Sequence, residues 1–425
     1  MDLIKELQWR GMIHDMMPGT EEQLRKEPTT VYMGIDPTAD SLHIGHLAAI
    51  VLLRHFQQAG HKPLLVIGGA TGMIGDPSGK SAERNLLTQE TINYNMEKIK
   101  IQLSRLLDFS DSSNGAMILN NYDWMGKFSF LGFIREIGKH ITVNYMIAKD
   151  SVKKRLETGL SFTEFTYQLV QGYDFYYLFT EYHCKLQIGG ADQWGNIVTG
   201  TELIRRKNGG EGYALTCPLI TRSDGGKFGK TEEGNVWLDS GYTTVFKFYQ
   251  FWLNVSDEDA EKYLKVFTFL SAAEIKYLSE QHSKQPEKRI MQRTLANEIT
   301  SMVHGADECI KAQSATDALF SKDALESLQT LDGSTLLDLF SGVPVYEVAA
   351  EKINKGIGVV DLLSVEAPVF ASKSEARRMI ENSGLSINRE KITGVNAIVN
   401  GNNLISGKYL LVQKGKKLYF LIKVK

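Results

Sequence analysis

The most informative stretch of the chain switches hydrophobic period within thirty residues. Val31-Tyr32-Met33-Gly34-Ile35-Asp36 is short, β-branched and aromatic, the makeup of a buried strand. Pro37-Thr38-Ala39-Asp40-Ser41 is turn chemistry. Apolar residues then recur at Leu42, Ile44, Leu47, Ile50, Val51 and Leu53, a helical spacing that stops at Gly60, a suitable C′ residue. The same reading predicts strands at Leu64–Ile67, at Met117–Asn120 with Trp124 in the loop beyond, and at Cys184–Ile188. It predicts an amphipathic helix near the start, with Leu3, Leu7, Ile13 and Met17 inward and an end near Pro18-Gly19. A polar surface helix is expected over Thr88–Leu107, and a further helix carries Phe165–Asp174. Strands alternating with helices predict an α/β fold with a parallel sheet.

Beyond Val236 the pattern becomes successive helices: Thr243–Trp252, Asp257–Thr268, Ser271–Gln281, Pro286–Val303 and Asp307–Phe320. Ser271 with Glu274 reads as a capping box. A weakly patterned connector follows, and from Tyr346 a second capping box, Ser372 to Glu375, opens a helix before several short strands. No periodic repeat runs through the chain.

Composition adds limits. With 425 residues, 43% apolar and 23% charged, the chain has the makeup of an ordinary soluble protein of two or three domains. Three scattered cysteines, Cys184, Cys217 and Cys309, argue against a disulfide framework or a zinc site and for a reducing compartment, the cytoplasm. The first residues lack the apolar core of a signal peptide, and no apolar run is long enough for a bilayer. The net charge of −2 is unevenly spread: from Val369 onward eleven Lys or Arg face three Asp or Glu, leaving about −10 on the rest. A basic tail on an acidic body suits a polyanionic partner; it also suits a solvated lysine face.

The candidate chemistry lies at strand ends. His43-Ile44-Gly45-His46 begins the first helix, where backbone N–H groups point at any anion and Gly45 lets a flat group approach. Two imidazoles three residues apart can donate to phosphate oxygens, although a His-x-x-His pair alone also fits a plain helix start. Gly72, Gly75, Asp76, Pro77 and Gly79 form a loop at the carboxyl end of the second strand, with Lys80 and Arg84 after it; the spacing fits neither a dinucleotide fingerprint nor a Walker loop. Tyr167, Gln171 and Asp174 fall on one helical face, a pocket wall or a half-exposed amphipathic face. Gly189 and Gly190 allow close backbone approach before Asp192 and Gln193, and Asp192 can accept ribose hydroxyls. Lys227 and Lys230 stand among glycines in a loop ending at Thr231 that suits a pyrophosphate. The excess of apolar residues from Phe128 to Lys154 suggests a subunit contact.

Together these segments resemble the bacterial tyrosyl-tRNA synthetase family. Tyr32 to Thr38 leading into His43-Ile44-Gly45-His46 resembles the first signature of class I aminoacyl-tRNA synthetases. Lys227-Phe228-Gly229-Lys230-Thr231 resembles the second, usually Lys-Met-Ser-Lys-Ser, with Phe228, Gly229 and Thr231 as departures. The region from Tyr346 resembles the S4-type RNA-binding domain of that family. The resemblance implies a Rossmann-like catalytic domain over 1–220 with a subunit-contact insertion near 125–165. It also implies a signature-loop and helical anticodon-arm-binding domain over 221–325, a linker over 326–345 and a small α+β S4-type domain over 346–425.

It implies that L-tyrosine is activated with ATP, accompanied by Mg²⁺ and no protein-bound metal, and then passed to tRNA(Tyr) by a homodimer away from membranes. Tyr32 and Asp174 would read the phenol. Asp76, Tyr167 and Gln171, with Gln193, would hold the rest of the tyrosine. Gly34, Asp36, Gly45, His46, Gly190, Asp192 and Lys230 would bind ATP. His43, His46, Lys80, Arg84, Lys227, Lys230 and Thr231 would stabilise its reacting phosphates. Lys373, Arg377, Arg378, Lys414, Lys416 and Lys417 would meet RNA. A tryptophanyl-type synthetase and a small-molecule nucleotidyltransferase are the competing expectations.

Overall fold

The period switch at Val31 builds the centre of a parallel sheet in the computed structural model, which describes residues 2–78, 87–156, 159–226, 228–231, 234–320, 337, 343–415 and 418–425. Six strands, β1 (Asp15–Met16), β2 (Thr30–Ile35), β3 (Lys62–Ile67), β4 (Met117–Asn120), β5 (Cys184–Gly190) and β6 (Tyr213–Cys217), lie in the order β1-β6-β5-β2-β3-β4. All neighbours are parallel except the β1–β6 edge pair. Val31, Tyr32 and Met33 of β2 and Leu64 to Ile67 of β3 are buried, as strands covered on both faces require.

Chain order fixes where a ligand can sit. The helix Ile44–Gln58 carries the chain from β2 to its neighbour β3, whereas β5 lies on the other side of β2. Connections leaving β2 and β5 in opposite directions open a crevice at the carboxyl ends of those strands. That crevice is where the candidate residues of both strands end.

The described residues gather into two compact units, Met1–Thr243 with Trp252–Val303 and Thr244–Phe251 with His304–Lys425. This grouping departs from divisions at 220 and 325. In the first unit the sheet is accompanied by the helices Asp257–Phe267, Ala272–Lys284 and Ile290–His304. In the second, Phe246 and Ala315 share a buried cluster with Ile405, Tyr409, Leu411 and Leu421, so helical segments pack on the C-terminal sheet. That sheet has five strands, with Leu418–Val424 pairing antiparallel to Tyr409–Lys414 and parallel to Val345–Val348. Apart from Leu337 and Val343–Val345, the connector expected over 326–345 lies outside the described residues.

Three local expectations are corrected. The first thirty residues hold two short helices, Leu3–Trp9 and Thr20–Lys26, because Asp15–Met16 is drawn into the sheet beside β6 and Pro18-Gly19 cannot continue a helix. Trp124 lies on a one-turn helix, Tyr122–Met125, and is buried. At Ser372 only half of the capping box forms. Its hydroxyl accepts the Glu375 N–H at 3.2 Å, but the Glu375 carboxylate takes the Ala371 N–H at 3.0 Å. The Ser271–Glu274 box is complete.

No helix among the described residues is long and apolar enough to cross a membrane. The three cysteines are buried and form no disulfide with one another.

Candidate active site

A cavity of about 550 Å³ opens at the carboxyl ends of β2 and β5. It gathers Tyr32, Gly34 and Asp36 from β2 and its end, and His43, Gly45 and His46 from the helix start. Asp76, the helical triplet Tyr167, Gln171 and Asp174, and Gly190, Asp192 and Gln193 complete the set. The triplet is therefore a pocket wall: all three side chains are buried.

The histidines cap the helix that carries them. His43 is the N-cap, and its Nδ1 accepts the Gly45 N–H at 3.1 Å; His46 Nδ1 accepts the His43 N–H at 3.2 Å. The rings stack at 4.0 Å. A neutral imidazole that accepts at Nδ1 carries its proton at Nε2, so both rings are set as Nε2–H donors. Gly45 is needed for this arrangement, since a Cβ there would lie 2.8 Å from the His43 ring.

A continuous hydrogen-bonded line crosses the cavity wall. The Tyr167 hydroxyl donates to Asp36 Oδ2 at 2.8 Å, and Thr71 Oγ1 donates to Asp36 Oδ1 at 2.6 Å. Asn121 Nδ2 donates both to Thr71 Oγ1 at 3.0 Å and to Asp174 Oδ2 at 2.9 Å. Its Oδ1 accepts the Ala70 N–H at 2.7 Å, so both ends of the amide have partners and its orientation is fixed. Trp124 Nε1 completes the line by donating to Asp174 Oδ1 at 2.7 Å.

Asp76 forms a second hub, accepting from Gln193 Nε2 at 2.6 Å, the Ser78 N–H at 2.9 Å and Asn196 Nδ2 at 3.4 Å. Buried carboxylates need such donors, because an unpaired one would lose its hydration uncompensated.

Burial sets the protonation states. The Asp174 carboxyl is pushed up to about 7, chiefly by desolvation; Asn121 and Trp124 pull it down, and Asp36 adds a smaller upward push. The Tyr32 phenol is driven well above its ordinary range by burial and by the negative fields of Asp174 and Asp36, which keeps it a hydroxyl donor. Two amide oxygens on the wall, Gln171 Oε1 and Gln187 Oε1, are buried with no partner, so they offer acceptors to a bound molecule.

Several expected residues lie elsewhere. Lys80, Arg84, Lys227, Lys416 and Lys417 fall outside the described residues. The backbone of Lys230 and Thr231 pairs antiparallel with Gly234–Asn235. In the basic tail, Lys373 is 2.6 Å from Asp361, and Lys414 is 2.8 Å from Glu375 and over the Phe370 ring. Arg377 and Arg378 are exposed. Sequence reading missed Thr71, Asn121, Trp124 and Gln187. The cue for Asn121 and Trp124 was their position just after β4, at the carboxyl edge of a parallel sheet.

Residues 24–321 match the family described as tRNA synthetases class I (W and Y), so the chain belongs to the class I tRNA synthetases. Residues 335–422 match the C-terminal domain of the tyrosine–tRNA ligase type. Within the class the chain is a member of the tyrosine–tRNA ligase family. It is 60% identical to the tyrosine–tRNA ligase of Bacteroides fragilis over 99% of both chains, and 55% identical to that of Flavobacterium psychrophilum over the full length of both. Among solved structures it resembles a C-terminally truncated mitochondrial tyrosyl-tRNA synthetase of Aspergillus nidulans, at 30% identity and a TM-score of 0.68. That likeness covers 75% of this chain and 94% of the other.

Proposed function

We propose that the chain is a tyrosine–tRNA ligase that couples L-tyrosine to ATP as tyrosyl-adenylate and then transfers the tyrosyl group to the terminal adenosine of tRNA(Tyr). In the first step a carboxylate oxygen of tyrosine attacks the α-phosphorus, and pyrophosphate leaves with the bonding electrons. The protein positions two reactants and stabilises developing charge; it supplies no covalent nucleophile. Tyr32 and Asp174 take the phenol at one end of the wall. Asp76, Tyr167, Gln171 and Gln193 hold the ammonium end. Gly34, Asp36, Gly45, Gly190 and Asp192 hold the adenosine. His43 and His46, as Nε2–H donors, meet phosphate oxygens, and Lys80, Arg84, Lys227, Lys230 and Thr231 meet the departing pyrophosphate. Mg²⁺ enters with the nucleotide phosphates as part of the substrate, where it adds Lewis-acid stabilisation.

The observation that carries this reading is the line of bonds from Tyr167 through Asp36, Thr71 and Asn121 to Asp174 and Trp124. It holds the buried Asp174 carboxyl in the same cavity wall as Tyr32, which supports a pocket that reads the hydroxyl of a phenol. A pocket for tryptophan has no use for two polar groups there, and a simple nucleotidyltransferase has no use for the C-terminal unit. ATP–pyrophosphate exchange should proceed with tyrosine and fail with tryptophan and phenylalanine at equal concentration. Exchange driven by tryptophan would overturn the assignment.

We further infer a cytoplasmic homodimer. Phe130, Leu131, Ile134, Val143 and Phe162 expose large apolar surfaces in the segment expected to meet a second copy. The tail meets the tRNA through Arg377 and Arg378, and the helical and C-terminal divisions at 221–325 and 346–425 are retained as functional divisions for tRNA contact.

A further inference from the structure

We infer that Phe228 is a positioning residue for adenylate formation, acting through the neighbouring Lys230; the inference rests on the reading of Lys230 as a pyrophosphate-facing group. Phe228 stands where the second class I signature usually has Met. Its ring stacks on Phe267 at 5.3 Å and 16°, meets Tyr263 edge-on at 5.1 Å, and lies 5.8 Å from Trp252. Those three partners are fully buried and also pack on each other, so Phe228 adds to an aromatic cluster with contacts of its own.

The next residue is tied in the opposite direction. The Gly229 carbonyl accepts the Val236 N–H at 3.0 Å, and the Val236 carbonyl accepts the N–H of Ile44, the first residue of the histidine helix, at 3.0 Å. The strap continues: the Leu238 N–H donates to the Leu42 carbonyl at 2.8 Å, and His43 and Trp237 form a β-bridge with their rings 5.8 Å apart. Gly229 has a φ of +78°, and a Cβ there would stand 3.0 Å from Ile44 Cγ1. The usual serine of the signature could not take this backbone conformation without strain.

The two signatures thus form one hydrogen-bonded unit. The segment carrying Lys230 begins at a residue whose side chain is socketed in the helix Asp257–Phe267 and whose successor is strapped to the histidine helix. The end of that same helix is held in turn by Arg10, which donates to the carbonyls of Lys265, Thr268 and Leu270. None of these groups lines the tyrosine end of the cavity, so loosening Phe228 should alter where the loop lysine acts and leave the amino-acid pocket intact.

The test uses the full-length chain, with single-turnover formation of tyrosyl-adenylate and equilibrium binding of tyrosine as separate readouts. Phe228→Ala should slow adenylate formation on the order of 10-fold while tyrosine affinity stays within about twofold. Phe228→Met, the usual residue of the signature, should recover most of the rate. Gly229→Ser should slow the step although it restores the usual signature residue. The double variant Phe228→Ala with Lys230→Ala should be no slower than Lys230→Ala alone, since a residue acting through another loses its effect when the other is gone. Additive losses, a parallel fall in tyrosine affinity, or failure of Met to recover the rate would overturn the inference. A silent Phe228→Ala beside a damaging Lys230→Ala overturns this inference alone; a silent Lys230→Ala overturns the reading beneath it. Should Phe228→Ala not fold, Phe228→Leu and Gly229→Ser carry the same cycle.

Discussion

Trp124 donates its indole N–H to Asp174 Oδ1 at 2.7 Å, deep in the wall of the cavity. With Asn121 on the other oxygen, this bond holds the carboxyl in one orientation and opposes the desolvation that raises its pKa to about 7. An acid kept this close to neutrality can be tuned by one substitution, and it links the pocket to pH.

The first expectation concerns stability. Asp174 has a folded-state pKa of about 7 against an ordinary 3.8, so the native chain holds this proton more tightly than the unfolded chain. The stabilisation from that group is complete below the ordinary value and is lost as pH rises toward 7. Asp174→Asn removes the titration. Denaturant melts taken from roughly pH 5 to about pH 7.5, a range lying across that rise, should show the wild type losing stability relative to this variant as pH rises. A constant difference would contradict the raised pKa.

Selectivity follows from the same residue. Phenylalanine brings no hydroxyl, so the Tyr32 phenol and the acceptor capacity of Asp174 left over from Asn121 and Trp124 would face the ring without a partner, at about 1–3 kcal/mol for each missing bond. Asp174→Ala should therefore damage tyrosine activation by roughly 10- to 100-fold more than phenylalanine activation, and Tyr32→Phe should do so more mildly, because a neutral hydrogen bond is worth less than a charged one. kcat/KM for both amino acids on both variants measures this; an unchanged ratio would remove the phenol-reading role.

At the helix start, capping and chemistry can be separated. His43→Asn keeps a good N-cap acceptor for the Gly45 N–H but withdraws the Nε2–H donor. Adenylate formation should fall by about 10- to 100-fold while the melting temperature barely moves, since a donor to developing charge matters in the transition state. A rate equal to wild type would show that His43 only caps.

Assembly can be probed at the apolar patch. Leu131 is 75% exposed, too much for a core residue of an isolated chain. Leu131→Glu should shift the sedimenting species from dimer to monomer at micromolar concentration. A monomeric wild type would show that the patch serves something else.

The tail is tested by charge. Arg377 and Arg378 are exposed, whereas Lys373 and Lys414 already have carboxylate partners. Replacing both arginines by Glu should leave ATP–pyrophosphate exchange intact and weaken tRNA charging. The slope of log affinity for tRNA against log salt should become shallower by about 1 to 2, because each phosphate that is no longer neutralised keeps its counterion. Unchanged charging at physiological salt would make this surface a solvated face.

The chain's local pattern determined the strands β2 to β5, the helix after β2 and the order of its signatures, because periods of two and 3.6 are set by residues close in sequence. Local pattern also placed His43 and His46 at a helix start and Tyr167, Gln171 and Asp174 on one face. It could not say that this face is buried, since a period names a face and not what covers it. Only the tertiary structure brought Asn121 to Asp174 across 53 residues and seated Phe228 among Trp252, Tyr263 and Phe267. It also drew Asp15–Met16 into the sheet, where pairing with β6 satisfies backbone groups that a continuing helix would have used. Such contacts depend on which elements the fold places side by side, and two partners distant in the chain leave no periodic trace of each other in either segment.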